Sequence, residues 1–319
     1  MVVTVEEKEE KVEPEENNSK EYDLTGPVKA SRWMGWVKDS AQVNELDIPG
    51  THDSFAYDLP DAVIKSVAKT QKIDIKEQLN IGCRFLDIRF NQDLAGRHGI
   101  IDCKDGLWKA MEWIANFLKE NPKETIIMRM RLENEDNVSI LNYNLNMLLT
   151  QYSQYFWRNG GKKAWPTIGE VRGKIIVLDN LEGDFFVSNG IGLKYNGGAP
   201  YLLIQDIYDP KDKLDVGQAS NPNNLTKYKY KVVKENIDIP YDPNKEKINY
   251  VSAVSGWAGA AGNGLSPKDY ADYMNHRVVD YIKERVKAGG CYTGIMPFDF
   301  MDDNIAECVF KCNKLTSDK

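Results

Sequence analysis

The chain has 319 residues, 42% of them hydrophobic and 28% charged, with three histidines, five cysteines and a formal net charge of −7. That length buries a sizeable core, as one large α/β domain or two ordinary ones, and we read it as one. Nine acids and three lysines fall in residues 1–23, so the rest of the chain is nearly neutral. This excludes the basic footprint of a nucleic-acid binder and any strong Coulombic pull toward anionic membranes.

Residues 1–25 read as an acidic, solvated, disordered leader, and 26–319 as the folded domain. The leader contains no hydrophobic signal region, and no apolar run reaches the ~18 residues of a membrane span. The five cysteines lack the density of a disulfide framework. Cys308 and Cys312 stand four apart on a predicted helix, with no histidine or further cysteine nearby in sequence to complete a metal site.

Strand and helix patterns then alternate along the chain. A strand over 44–48 precedes a helix over 62–71; a strand over 83–90 precedes a helix over 107–119; a strand over 125–133 precedes a helix over 139–152. Further strands are predicted over 174–180, 201–208, 249–254 and 294–299, with helices over 267–288 and 302–311. Residues 211–247, rich in lysine, asparagine and proline, read as an insertion on the rim. Repeated βα units of this kind predict a single TIM-type (β/α) barrel, distorted or incompletely closed.

The strands carry a second pattern. Over 83–90, period-two alternation sets Leu86, Ile88 and Phe90 against Phe85, Asp87 and Arg89. Over 125–133 it sets Ile126, Met128 and Met130 against Arg129, Arg131 and Glu133. Asp206 and Tyr208 end the strand over 201–208 in the same way. Edge strands with one wet face also produce such alternation, but charges gathered at the carboxyl ends of inward faces are what a barrel active site requires.

The chemistry-bearing string is Leu46-Asp47-Ile48-Pro49-Gly50-Thr51-His52-Asp53-Ser54, and His98 follows within 50 residues. One histidine acts as base and another as acid at neutral pH, with a carboxylate fixing the tautomer of each, while an arginine offsets phosphate charge through two donors. The third histidine, His276, sits on a predicted helix and reads as solvated or capping.

These segments, with Gly82-Cys83-Arg84-Phe85-Leu86-Asp87-Ile88-Arg89 and Arg97-His98-Gly99, resemble the catalytic X region of bacterial phosphatidylinositol-specific phospholipases C. The resemblance extends from about residue 30 to 312. It implies a phosphodiesterase that cleaves phosphatidylinositol to diacylglycerol and inositol 1,2-cyclic phosphate, with slow opening of the ring by water. His52 would be the general base, partnered by Asp299; His98 the general acid, partnered by Asp53. Arg89 would contact the phosphate and Asp87 would steady the site. Because a permanent cation at residue 89 stands where calcium-dependent relatives need oxygen ligands, the expectation is no metal and no cofactor.

The resemblance further implies that Arg131, Asp206, Tyr208, Asn180 and Glu133 contact the inositol head group. Arg131 stands where a lysine is common, and Asn180 where relatives carry an arginine. Leu59, Val63, Ile64 and Trp257 resemble rim positions that touch lipid. The implied partner is phosphatidylinositol in membranes, with no nucleic acid and no obligate protein partner. By the same analogy the protein would be secreted, although no signal region accompanies it. The competing readings are a non-catalytic inositol-lipid binding module and a ribonuclease-like phosphodiesterase. The complete set of candidate catalytic groups argues against the first, and the near-neutral body against the second.

Overall fold

The computed structural model describes residues 27–134, 137–160, 164–256 and 264–315. The expected acidic leader and Trp257 lie outside the described residues. Eight strands make the main sheet: β1 (Ile48–Thr51), β2 (Phe85–Phe90), β3 (Ile126–Leu132), β4 (Ile175–Asn180), β5 (Leu193–Lys194), β6 (Leu202–Gln205), β7 (Glu246–Asn249) and β8 (Ile295–Phe298). Their spatial order is β5, β4, β3, β2, β1, β8, β7, β6, and every pairing is parallel.

The two outer strands of that series, β5 and β6, are consecutive in the chain yet share no ladder. The sheet therefore curls into a barrel that is not fully closed, as the sequence predicts. On that side a side chain spans the break, with the Tyr201 hydroxyl donating to the Lys194 carbonyl at 3.0 Å.

Alternation sorts the strand residues into two cores. Inside the barrel, Ile48, Phe85, Ile127, Ile176, Leu178, Ile248 and Ile295 pack together. Outside, Leu86, Ile88, Phe90, Ile126, Met128 and Met130 meet the helices Leu107–Glu120 and Val138–Tyr152. Each such side chain contributes roughly 1.5–3 kcal/mol by leaving water. Gly50 is required in β1, because a Cβ there would come within 2.9 Å of the side chain of Phe85, its register partner on the neighbouring strand β2.

The strand expected over 249–254 is found at Glu246–Asn249, and the one expected over 201–208 ends at Gln205; three further departures from the pattern matter more. The first strand starts at Ile48 rather than at 44, because Val43–Glu45 closes a 3₁₀ turn. The segment 211–247 is not a rim insertion: it holds the helix Pro222–Ile237, which buries Leu225, Lys229, Val233 and Ile237 on one face, and the start of β7. Lysine and asparagine on its other faces conceal that stripe in the sequence. The third departure is β5, too short for any pattern to announce.

Among the described residues no helix is long and apolar enough to cross a membrane, and no group of three or more His, Cys, Asp or Glu side chains is placed to hold a metal ion.

Candidate active site

Register explains why residues far apart in sequence meet. Thr51 at the end of β1 pairs with Phe298 at the end of β8, so the next residue on each strand, His52 and Asp299, emerges beside the other. His52 Nδ1 lies 2.8 Å from Asp299 Oδ1. On the other flank Asp87 pairs with Arg129 and Arg89 with Arg131, which sets two rows of charge across β2 and β3.

The turn after β1 is held rigidly. Asp53 adopts a left-handed φ of 40°, costly for a residue with a Cβ. Its backbone N–H donates to Asp87 Oδ2 at 3.2 Å, and its carbonyl accepts from Thr70 Oγ1 at 2.8 Å. The neighbouring His52 carbonyl accepts from Gln71 Nε2 at 2.8 Å, and that same amide nitrogen also donates to the Phe298 carbonyl. Thr70 and Gln71 thus tie the loop after the helix Ala62–Ala68 to both strand ends.

His98 comes from a short hairpin, Arg97–His98 paired antiparallel with Ile101–Asp102, which turns at Gly99 with φ +57°. The hairpin folds back over the end of β2, where Gly96 bridges Phe90. That brings His98 Nδ1 to 2.8 Å from Asp53 Oδ2.

Arg89 occupies the centre. Its Nε and Nη2 donate to Asp87 Oδ2 at 3.1 and 2.8 Å, and its Nη1 lies 3.6 Å from Asp53 and 3.5 Å from Glu133. Its Nη2 also donates to His52 Nε2 at 2.8 Å. A guanidinium has only donors, so this contact makes Nε2 the acceptor and places the His52 proton on Nδ1, toward Asp299. Beneath it, Arg129 donates to Asn180 Oδ1 and to the Tyr250 hydroxyl, both at 3.0 Å, and stacks on the Tyr195 ring with its guanidinium carbon 4.4 Å from the centroid.

The electrostatics follow from burial and these cations. Burial holds His52 well below the ordinary histidine value, and Arg89, His98 and Arg129 push the same way against Asp87. Burial alone would raise Asp87, but Arg89, Arg129 and His52 outweigh it and hold that carboxyl well below the usual range. Asp299 goes the other way: burial and the nearby Asp53 carboxylate raise it, opposed by Arg89 and Lys229.

These groups surround a pocket of about 400 Å³, lined by His52, Arg89, His98, Arg131, Glu133, Asp206 and Tyr208, with Val67, Gly99, Ser252, Ala253, Val254 and Pro267 completing its walls. Asp53, Asp87 and Asp299 stand behind that lining, each in contact with one of its members, His98, Arg89 and His52 respectively. Asn180, expected at the head group, does not line the pocket; its amide is engaged with Arg129. Leu59, expected at a lipid surface, is 2% exposed and packs with Ala56 and Ala68, so it holds the rim helix from within. Ile64 is half-buried against the same cluster, and the side chain of Val63 is outside those described. Arg129, Tyr250, Gln71 and Val67 are parts of the site for which the sequence suggested no role. Only Arg129 left a signal, its place in the inward row with Arg131.

The PI-PLC X family profile matches residues 40–181. The 1-phosphatidylinositol phosphodiesterase of Listeria monocytogenes is 31% identical over 297 residues, covering 91% of this chain and 87% of that protein. The chain belongs to the PI-PLC X family. Within it, the protein of the same name from Staphylococcus aureus strain Newman is 29% identical, covering 80% of this chain and 84% of its own. The solved phosphatidylinositol-specific phospholipase C of L. monocytogenes superposes with a TM-score of 0.74 at 29% identity, covering 90% of this chain and all of that one. In this member of the family, the first four strand ends and the His98 hairpin all fall inside the matched stretch, while Asp206, Tyr208 and Asp299 lie beyond it.

Proposed function

We propose that this protein is a phosphatidylinositol-specific phospholipase C that works by two-histidine general acid/base catalysis without a resident metal. The observation that carries the reading is the arrangement around Arg89: two histidines, each with Nδ1 at 2.8 Å from its own buried carboxylate, on either side of one guanidinium. The family relatives named as phosphatidylinositol phosphodiesterases supply the substrate class.

In this mechanism the inositol 2-hydroxyl lies against His52 Nε2, which takes its proton as the oxygen attacks phosphorus. The nucleophile belongs to the substrate, so its effective molarity is already high and the protein supplies proton transfer and charge stabilisation. Arg89 leaves His52 for the non-bridging phosphate oxygens. His98, held by Asp53, protonates the departing diacylglycerol oxygen, and inositol 1,2-cyclic phosphate remains. Water opens that ring slowly with the two histidine roles exchanged.

Asp206, Tyr208, Arg131 and Glu133 line the side of the pocket suited to the ring hydroxyls. The Tyr208 side chain is largely exposed, so its ring is free to stack on the sugar. Contact with the membrane is peripheral. The tip of the His98 hairpin supports this, since Ile100 stands 76% exposed, next in the chain to Gly99 of the pocket wall. Metal independence is supported by the carboxylates nearest the phosphate position, Asp53, Asp87 and Glu133, which are already paired with guanidiniums.

The test is phosphorus NMR of phosphatidylinositol vesicles incubated with the protein and a chelator. A cyclic phosphate signal that survives chelation and disappears in His52→Ala and His98→Ala is the expected result. Strict calcium dependence defeats the metal-free assignment. Vesicle binding without turnover favours a binding module instead.

A further inference from the structure

Lys229 is fully buried, although no step of the mechanism uses it. It projects from the inner face of the helix Pro222–Ile237, and its Nζ donates to the Ile207 carbonyl at 2.8 Å and to Gln205 Oε1 at 3.3 Å. The same Gln205 oxygen accepts the Ile207 N–H at 2.8 Å, while the Gln205 amide nitrogen donates to Asn249 Oδ1 and to the Tyr250 carbonyl at 2.8 and 2.9 Å. Both polar groups of Ile207 are therefore clamped from behind the pocket wall.

That clamp sits where the ladder stops, between the last paired residue and Tyr208, whose carbonyl accepts the Val254 N–H at 2.9 Å. The ladder between β6 and β7 ends at Gln205 with Asn249, and the next three residues are Asp206, Ile207 and Tyr208. Asp206 and Tyr208 face the pocket from either side of the clamped residue. Burying an ammonium is costly, and an apolar side chain of similar length would fill the same space without that penalty. What an apolar side chain cannot do is hold the Ile207 carbonyl and place a donor-rich cation behind Asp206. Burial pulls the Lys229 ammonium down to about 7, and the two charges that oppose this are Asp206 and Asp299, one at the head-group wall and one behind the base.

We propose that Lys229 is a positioning residue for head-group recognition: clamped to the Ile207 carbonyl, it sets Asp206 and Tyr208 against the hydroxylated ring of the substrate. This rests on the reading of Asp206 and Tyr208 as the head-group wall. The ring discriminates through hydroxyls whose partners must be placed to within a fraction of a hydrogen-bond length, so loosening this segment weakens binding and leaves the proton transfers at His52 and His98 intact.

The experiment uses a short-chain, monodisperse phosphatidylinositol, which removes vesicle binding from KM. Lys229→Met is expected to raise KM about tenfold, the worth of one charge-assisted hydrogen bond, with kcat within about twofold of the parent. Asp206→Asn raises KM as well, and the double variant shows little further rise, because both changes act on one wall. If Asp206→Asn and Tyr208→Ala leave KM unchanged, the head-group reading fails on its own account and this inference goes with it. If they raise KM while Lys229→Met does not, or if the effects of Lys229→Met and Asp206→Asn simply multiply, the head-group reading stands and the role of Lys229 is overturned. Gln205→Met frees the Ile207 N–H without removing the buried cation. It provides the same decision should Lys229→Met not fold: a KM-only rise supports the clamp, and an unchanged KM or a fall confined to kcat overturns it.

Discussion

Arg89 Nη2 lies 2.8 Å from His52 Nε2, so the cation proposed to bind the phosphate is also the partner of the proposed base. A guanidinium against the lone pair of an imidazole disfavours protonation at that nitrogen, and it joins burial, the larger cause, in holding His52 well below the ordinary histidine value. Catalysis by His52 as a base needs its neutral form, so activity is lost as pH falls through its folded value. The acid limb of kcat/KM, which reports the free enzyme, therefore lies well below pH 6.5. In Arg89→Met the rate drops and the limb moves upward toward that value. A limb at or above 6.5 in the parent, or one that stays in place in the variant, contradicts the assignment of His52 as base.

Asp299 is the second determinant of His52. Its Oδ1 accepts the Nδ1 proton, and its carbonyl accepts from Asn275 Nδ2 at 2.9 Å, which fixes the residue just beyond β8. Asp299→Asn keeps an acceptor oxygen but removes the charge that steadies an imidazolium during proton transfer. A fall in kcat of about a hundred- to ten-thousandfold is expected, with KM little changed, since positioned acid/base groups are worth that much. Steady-state kinetics decide this, and a loss seen only in KM would make Asp299 a binding residue.

His98 and Asp53 make a prediction of a different kind. If His98 protonates the leaving oxygen, its importance depends on how badly that oxygen needs a proton. His98→Ala should cost about a hundred- to ten-thousandfold on phosphatidylinositol, whose diacylglycerol leaving group is a poor one. It should cost far less on an inositol aryl phosphodiester, whose phenolate leaves unaided. Equal losses on both substrates would assign His98 to phosphate binding.

Much of this site could be read in the sequence, and the reasons differ from residue to residue. His52, Asp53, Asp87, Arg89 and His98 fall within 50 residues, and period-two alternation alone aims Asp87 and Arg89 into the barrel. Asp299 meets His52 across 247 positions, a contact created by the β1 and β8 register and suggested in the sequence only by family likeness. Arg129 was visible as an inward residue, yet its role depends on pairing with Asp87, which needs the sheet order. Asn180 was misplaced because its register neighbour, Arg131, reaches the pocket while its own amide turns down to Arg129. Leu59 stands between Asp58 and Pro60 and resembles a surface apolar residue. Its burial comes from Ala56 and Ala68, which no local pattern reveals. Lys229 was hidden for the opposite reason, since a lysine in a lysine-rich stretch reads as solvated.

The far end of the barrel holds an ion pair whose energetics can be separated from catalysis. Arg84 and Glu124 are both fully buried, with Nη2 and Nε of the arginine 2.6 and 2.8 Å from Oε2. Arg84 Nη1 also donates to the carbonyls of Leu79 and Cys83 at 2.9 and 2.8 Å, and Glu124 accepts the Gly35 N–H at 3.1 Å, which fastens the segment before β1 across the barrel base. Glu124→Leu strands a buried guanidinium and should cost about 3–5 kcal/mol. The double variant Arg84→Met, Glu124→Leu removes both charges, and its loss should shrink to about 1–3 kcal/mol, the cost of the Gly35 and Met34 N–H groups left without the Glu124 acceptor. Urea denaturation of the single and double variants measures the difference. A double variant no more stable than Glu124→Leu would show that the stranded charge is not what the single substitution costs.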